Sequence, residues 1–291
     1  MNTILIATDF SKASRNAYLY GIHLAKALNA EVILFNAFLI PAPPAEFNIN
    51  IYPDEIITDI NKRLLSEADF LDPKRELIET ICEEGEAADM ILKIANAKKV
   101  SFIINGMKGS IGNFRKIFGS TVTELIRKSN IPIFIIPDSA EYCIPKTLLY
   151  ASDVTLDTNI MPIDQIKQFT DFFKPKLYVV TVVQDHYDKV FEGIISPKKL
   201  RHELQILNTT FEFPVNLDIT SSLNKFVVQN QVDIVIMMPH KHAWIERIFR
   251  KGQTKDMVFH SHIPMIILPA LSTLPTNQKL PSKKYLQYIY I

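Results

Sequence analysis

Gly106, Gly109, Gly119 and Ser120 stand in the pattern Gly-x2-Gly-x9-Gly-Ser, a spacing suited to holding an anion such as a phosphate. Glycines at the carboxyl end of a strand let backbone N–H groups approach the anion. A Gly-Ser pair at a helix start adds further N–H donors, a hydroxyl and the positive helix end. The segment is not a Walker loop, because no Gly-Lys-Ser/Thr occurs, and not a dinucleotide fingerprint, because no Gly-x-Gly-x-x-Gly occurs. Glycine is otherwise scarce: the chain holds 8 in 291 residues, where ordinary usage of about 7% would give roughly 20. Half of them, Gly106, Gly109, Gly112 and Gly119, lie in one short segment, so the backbone there adopts paths or approaches that side chains would obstruct. Gly112 falls outside the spaced pattern. Lys108, Arg115 and Lys116 are placed either to attract a phosphate or to be solvated in a loop.

Other chemistry-bearing residues are fewer. Asp9 follows the first apolar run and reads either as a turn carboxylate or as a ligand contact. Cys82 and Cys143 form no framework and no Cys-x-x-Cys site, and Cys82 sits in an expected strand as a packing residue. His240, His242, His260 and His262 invite a metal site, but an expected helix of about 16 residues, roughly 24 Å at 1.5 Å per residue, separates the two pairs. No metal site is expected.

The elements that must position these residues alternate in type. Thr3 to Thr8, Glu31 to Ala37, Leu77 to Cys82, Val100 to Asn105 and Ile131 to Ile136 are short apolar runs that read as buried strands. Helices are expected at Ser11 to Asn29, Asp54 to Phe70, Ala87 to Ala97 and Phe114 to Ser129, with Ser11 and Asp54 as N-caps. Ala13, Ala17, Tyr20, Leu24 and Leu28 form the apolar face of the first helix. Such alternation predicts an α/β fold, a doubly wound parallel sheet of five strands with ligands outside the carboxyl ends of the strands. Thr8-Asp9 and Asn105-Gly106 stand at two of those ends.

The pattern then repeats. Asn2 to Phe10 recurs as Lys146 to Val154, an offset of 144, and Asn130 to Pro137 recurs as His262 to Pro269, an offset of 132. Two tandem domains are expected, residues 1–138 and 146–269, with 270–291 as a linker and docking arm. In the second copy, strands are expected at Leu148 to Ser152, Leu177 to Val183, Val215 to Ile219, Ile234 to Met238 and Pro264 to Leu268. Helices are expected at Met161 to Phe173, Pro197 to Thr209, Ser222 to Gln229 and Trp244 to His260. Aligned at an offset of 133, Pro239 takes the place of Gly106, His242 of Gly109, Gly252 of Gly119 and Gln253 of Ser120. One motif glycine survives, so phosphate binding in the second half is not expected, and Asp153 is left with a structural role.

Composition removes several classes. With 32 basic and 31 acidic residues the net charge is +1, so no whole-chain field draws it to nucleic acid or an anionic membrane. No apolar run approaches the roughly 20 residues of a spanning helix, and the N-terminus lacks a basic region ahead of an apolar core. A cytoplasmic location is expected.

The chain resembles the universal stress protein family in its tandem two-domain form. The matching residues are Gly106, Gly109, Gly119 and Ser120, the opening Ala7-Thr8-Asp9-x-Ser11, and Ser129-Asn130-Ile131-Pro132 before the fifth strand. The resemblance covers residues 1 to 138, with a degenerate copy over 146 to 269. It departs where members often carry Pro, at Ala7, and where they often carry a small hydroxyl residue, at Val122. It implies a cytoplasmic stress-response or regulatory protein that binds ATP, ADP or AMP, with or without Mg²⁺, at one competent site in the first half. Thr8, Asp9 and Ala37 would meet the nucleoside end. Gly106, Gly109, Gly119, Ser120 and Thr121 would meet the sugar and phosphates. The expected partners are the nucleotide and the chain's own second half, with a homodimer left open. A slow ATPase or nucleotidyl-transfer enzyme and a nucleotide-independent scaffold, docking through the tail and the loop Leu39 to Pro53, are the competing readings.

Overall fold

A computed structural model describes residues 3–40, 53–72, 77–108, 114–152, 163–182, 208–216, 218–238 and 262–269. In the first half β1 (Thr3–Ala7), α1 (Lys12–Leu28), β2 (Glu31–Phe38), α2 (Pro53–Leu71), β3 (Ile78–Glu84), α3 (Ala87–Ala97), β4 (Phe102–Met107), α4 (Phe114–Lys128) and β5 (Ile133–Pro137) follow the expected alternation. The second half continues with β6 (Thr147–Ser152), α5 (Ile163–Phe173), β7 (Lys176–Thr181), β8 (Thr209–Glu212), α6 (Ile219–Gln229), β9 (Ile234–Met237) and β10 (Met265–Ile267).

All ten strands form one sheet in the order β3-β2-β1-β4-β5-β10-β9-β6-β7-β8. Each half is parallel and runs third, second, first, fourth, fifth strand from its outer edge, the doubly wound order expected. Their fifth strands meet antiparallel, Ile133 opposite Ile267 and Ile135 opposite Met265, so the two sheets are continuous. The core crosses the same seam. Phe169 of α5 packs on Phe134 of β5, with ring centroids 5.7 Å apart, and both belong to one buried apolar cluster. The connecting chain is pinned at both ends. Asn16 of α1 donates to the carbonyls of Pro137 and Ala140, and the Asp233 carboxylate accepts from the Lys146 and Thr147 N–H groups.

Local sequence accounts for the elements. Ser11 has extended backbone and its hydroxyl accepts from the Ser14 N–H at 3.3 Å, capping α1; Asn29 closes the helix in the left-handed conformation. The apolar face Ala13, Ala17, Tyr20, Leu24 and Leu28 is buried as expected. Asp54 is not a cap: α2 begins at Pro53, so Asp54 lies in the first turn, where its charge suits the helix dipole. The expected strand Val215 to Ile219 is also corrected. Asp218 caps a helix there, its Oδ1 accepting from Ser221 N–H at 3.2 Å, and Ile219 is the first helical residue. The third strand of the second half is Thr209–Glu212, beside β7. Cys82 lies in β3 with its thiol donating to Asn61 Oδ1, and burial pushes that thiol up, away from the reactive thiolate. The body of the expected helix at Pro197 to Thr209, all of that at Trp244 to His260, and the arm 270–291 lie outside the described residues.

Candidate functional site

The carboxyl ends of β1, β2 and β4 open into a cleft of about 300 Å³ between the first turn of α1 and the start of α4. Seven of the eight expected site residues line it: Thr8, Asp9, Ala37, Gly106, Gly119, Ser120 and Thr121. The eighth, Gly109, lies outside the described residues.

On the α1 side, hydroxyls and backbone build a compact turn. Thr8 is buried; its hydroxyl accepts from the Phe10 N–H at 3.0 Å and donates to Ser14 Oγ at 3.2 Å. Asp9 is exposed, with Oδ1 accepting from the Ser11 N–H at 2.9 Å. Partial burial pushes the Asp9 carboxyl up, but the hydroxyl and N–H of Ser11 together with the Ser14 hydroxyl outweigh it, and the group titrates below the ordinary 3.8. Phe10 takes a left-handed φ of 61°, uncommon for a bulky residue. The Arg63 guanidinium lies over its ring at 4.0 Å. From β2, Asn36 is buried and its Nδ2 donates to the Thr8 carbonyl at 2.7 Å, tying this turn to the neighbouring strand.

Gly106 has a packing role that its spacing alone does not reveal. A Cβ there would point at helix α1, touching the Ala13 carbonyl oxygen and standing 2.5 Å from Ala13 C and 2.7 Å from Ser14 N. Glycine at this position lets the backbone of α1 cross directly over β4, and so brings Ser11, Ala13 and Ser14 to the cleft wall. The approach it permits is helix to strand, and Gly106 itself also lines the cleft.

Gly119 breaks helix α4. Its φ of 77° and ψ of 172° interrupt α4, so an unbroken helix starts only at Ser120. Among the described residues nothing lies within 4 Å of a Cβ placed there. Ser120, Thr121 and Val122, the first turn of that unbroken helix, line the cleft, and a helix's first-turn N–H groups are the ones that seek acceptors outside it. Thr123 Oγ1 donates to the Gly119 carbonyl at 2.6 Å and holds the kink. Exposed Lys108 lies at the mouth. A positive helix start, a hydroxyl and a lysine make this end suited to an anion, while Ala37, Phe35 and Ile91 make the opposite end suited to a flat apolar group.

Asn105 was not among the expected site residues, though it lines the cleft. The signal was available: it is the one amide in the apolar run Phe102-Ile103-Ile104-Asn105. Ser14 and Ile91 also line the cleft and carried no comparable signal, since their placement depends on how α1 and α3 pack. Among the described residues no group of three or more His, Cys, Asp or Glu could hold a metal ion, and no described helix is long and apolar enough to cross a membrane.

The universal stress protein family model matches residues 1–137. The stress response protein NhaX of Bacillus subtilis is 26% identical over an alignment of 159 residues that covers 46% of this chain and 96% of that protein. The universal stress protein YxiE of the same organism is 28% identical over 145 residues, covering 46% of this chain and 98% of its own. Among solved structures, a universal stress protein from Archaeoglobus fulgidus superposes with a TM-score of 0.65 at 18% identity, covering 93% of this chain and 97% of that one. The similarity in fold therefore extends through both halves, whereas the family model is confined to the first.

Proposed function

Starting from a chain that belongs to the universal stress protein family through residues 1–137, we propose that it is a cytoplasmic regulatory protein of the stress response whose first half binds one adenine nucleotide. The observation that carries this reading is the convergence of Thr8, Asp9, Ala37, Gly119, Ser120 and Thr121 on one cleft. The base would lie toward Ala37 and the Asp9 turn, and the phosphates toward the free N–H groups that begin at Ser120, with Gly109 completing that end. A carboxylate held ionised by Ser11 and Ser14 accepts from an exocyclic amine, and a helix start stabilises phosphate charge. Any Mg²⁺ would ride on the phosphates of ATP. Turnover is not part of the proposal: Asp9 is assigned to the base, and a hydrolytic reading would need a general base at the phosphates.

Equilibrium dialysis with ATP, ADP and AMP tests it directly. One nucleotide per chain is expected, with binding weakened by Ser120→Ala and abolished by Gly109→Val or Gly119→Val. Absence of binding to all three at millimolar ligand overturns the proposal.

A further inference from the structure

Asn105 sits at the carboxyl end of β4, one residue beyond the pairing of Ile104 with Ile6 of β1 and opposite Ile135 of β5. Strand alternation puts its side chain on the same face as Ile103 and Met107, both in the apolar cluster under α3 and α4. It is 7% exposed, and its Oδ1 has no hydrogen-bond partner among the described residues. A buried amide oxygen without a donor is unfavourable, and a leucine of similar volume in this place would avoid that cost. Yet Asn105 also lines the cleft, and rotation about its terminal torsion can turn the carbonyl toward the cavity.

Its position in the sheet selects what would satisfy it. Ala37, at the apolar end of the cleft, is on β2; Thr8 follows β1; Asn105 is on β4, next in the sheet order. The anion-binding start of the unbroken helix, Gly119 to Thr121, lies beyond it on the α4 side. A ligand with its planar group at one end and its phosphates at the other presents its sugar hydroxyls between them. We infer that Asn105 is a specificity-determining residue whose side-chain carbonyl accepts a hydrogen bond from a sugar hydroxyl of the bound nucleotide, so that the cleft favours ribonucleotides over their deoxy forms. This rests on the adenine-nucleotide reading above.

The test compares ATP, 2′-deoxyATP and 3′-deoxyATP on the full chain by equilibrium dialysis. In the natural protein at least one deoxy analogue is expected to bind about tenfold more weakly than ATP, the worth of one neutral hydrogen bond. In Asn105→Leu that difference should vanish, with the weaker analogue keeping its affinity while ATP falls to match it. Asn105→Ala supplies the same comparison with a smaller side chain, should leucine perturb folding. The melting temperature of ligand-free Asn105→Leu should not fall, because the change removes a buried polar atom that has no partner. A discrimination absent from the natural protein, or persisting in both variants, overturns the inference and leaves nucleotide binding intact. Failure of the natural protein to bind any of the three overturns the nucleotide reading, and this inference with it.

Discussion

The two halves place opposite residues at one equivalent point of the same strand order. Ile4 pairs with Phe102 in the first half and Leu148 with Ile234 in the second, so counting along β4 and β9 sets Asn105 against Met237 and Gly106 against Met238. The strand register is thus one residue away from the alignment at an offset of 133, which put Pro239 opposite Gly106. Met238 is 3% exposed and belongs to the core. A side chain of that size occupies the space that, over Gly106, is filled by the backbone of α1. The connections differ accordingly: residues 8–11 alone lead from β1 into α1, whereas residues 153–162 lead from β6 to α5. In the first half a helix start is drawn tightly over the strand ends, and Gly106 makes room for it. In the second half Met238 fills the equivalent position of the sheet.

Exchanging residues between the halves tests that contrast. Gly106→Met should have the largest effect, destabilising the chain by about 3 kcal/mol because the clash is with backbone rather than a flexible side chain, and abolishing nucleotide binding. Urea unfolding and dialysis measure the two losses, and unaltered binding would refute the role given to Gly106. The reciprocal Met238→Gly should cost about 2 kcal/mol through the cavity it leaves, with nucleotide stoichiometry still one per chain. A second bound nucleotide in that variant would show that this residue, and not the altered motif positions, keeps the second half from binding. Gly119→Ala, where the added methyl group meets no described residue, should cost about 2 kcal/mol because a φ of 77° with a ψ of 172° is nearly confined to glycine, together with a measurable loss of ATP affinity. Smallest is the pH effect of Asp9. Its folded-state pKa is below the ordinary 3.8, so its contribution to stability is complete above about pH 5 and is lost as pH falls through the lowered value. Asp9→Asn should flatten the stability profile in that acid range and leave the profile near pH 7 unchanged in slope, as followed by thermal melts.

Most of the first half was legible because its signals were local and redundant. The apolar runs of β1, β2 and β5 are buried on both sides, and Ser11 and Asn29 mark both ends of α1 by chemistry that needs no tertiary context. Legibility failed where burial was partial. The edge strand Thr209–Glu212 is only half-buried along its length, so its Thr-Thr-Phe-Glu sequence carries a weak apolar signal. The Val215 and Ile219 pair offered a false one, although Asp218 followed by Ser221 is a recognisable helix start. At the site, the grouping of Thr8, Asp9, Ala37, Gly119, Ser120 and Thr121 could be anticipated from strand ends and the resemblance. The work done by Gly106 could not, since it depends on the crossing of α1 over β4. The orphaned amide of Asn105 likewise emerges only when its neighbours are known.

The antiparallel meeting of β5 with β10 determines how the protein responds to dilution. A short covalent segment, residues 138–146, holds the two sheets at a high effective concentration. Their pairing therefore does not depend on how many molecules are present, as it would for two separate copies. Among the described strands, β3 and β8 stand at the opposite extremes of the sheet. Along β3, Glu79 and Glu83 are ion-paired with Lys98 and Lys93, and with Glu84 they crowd that edge with charged side chains that oppose its extension by another strand.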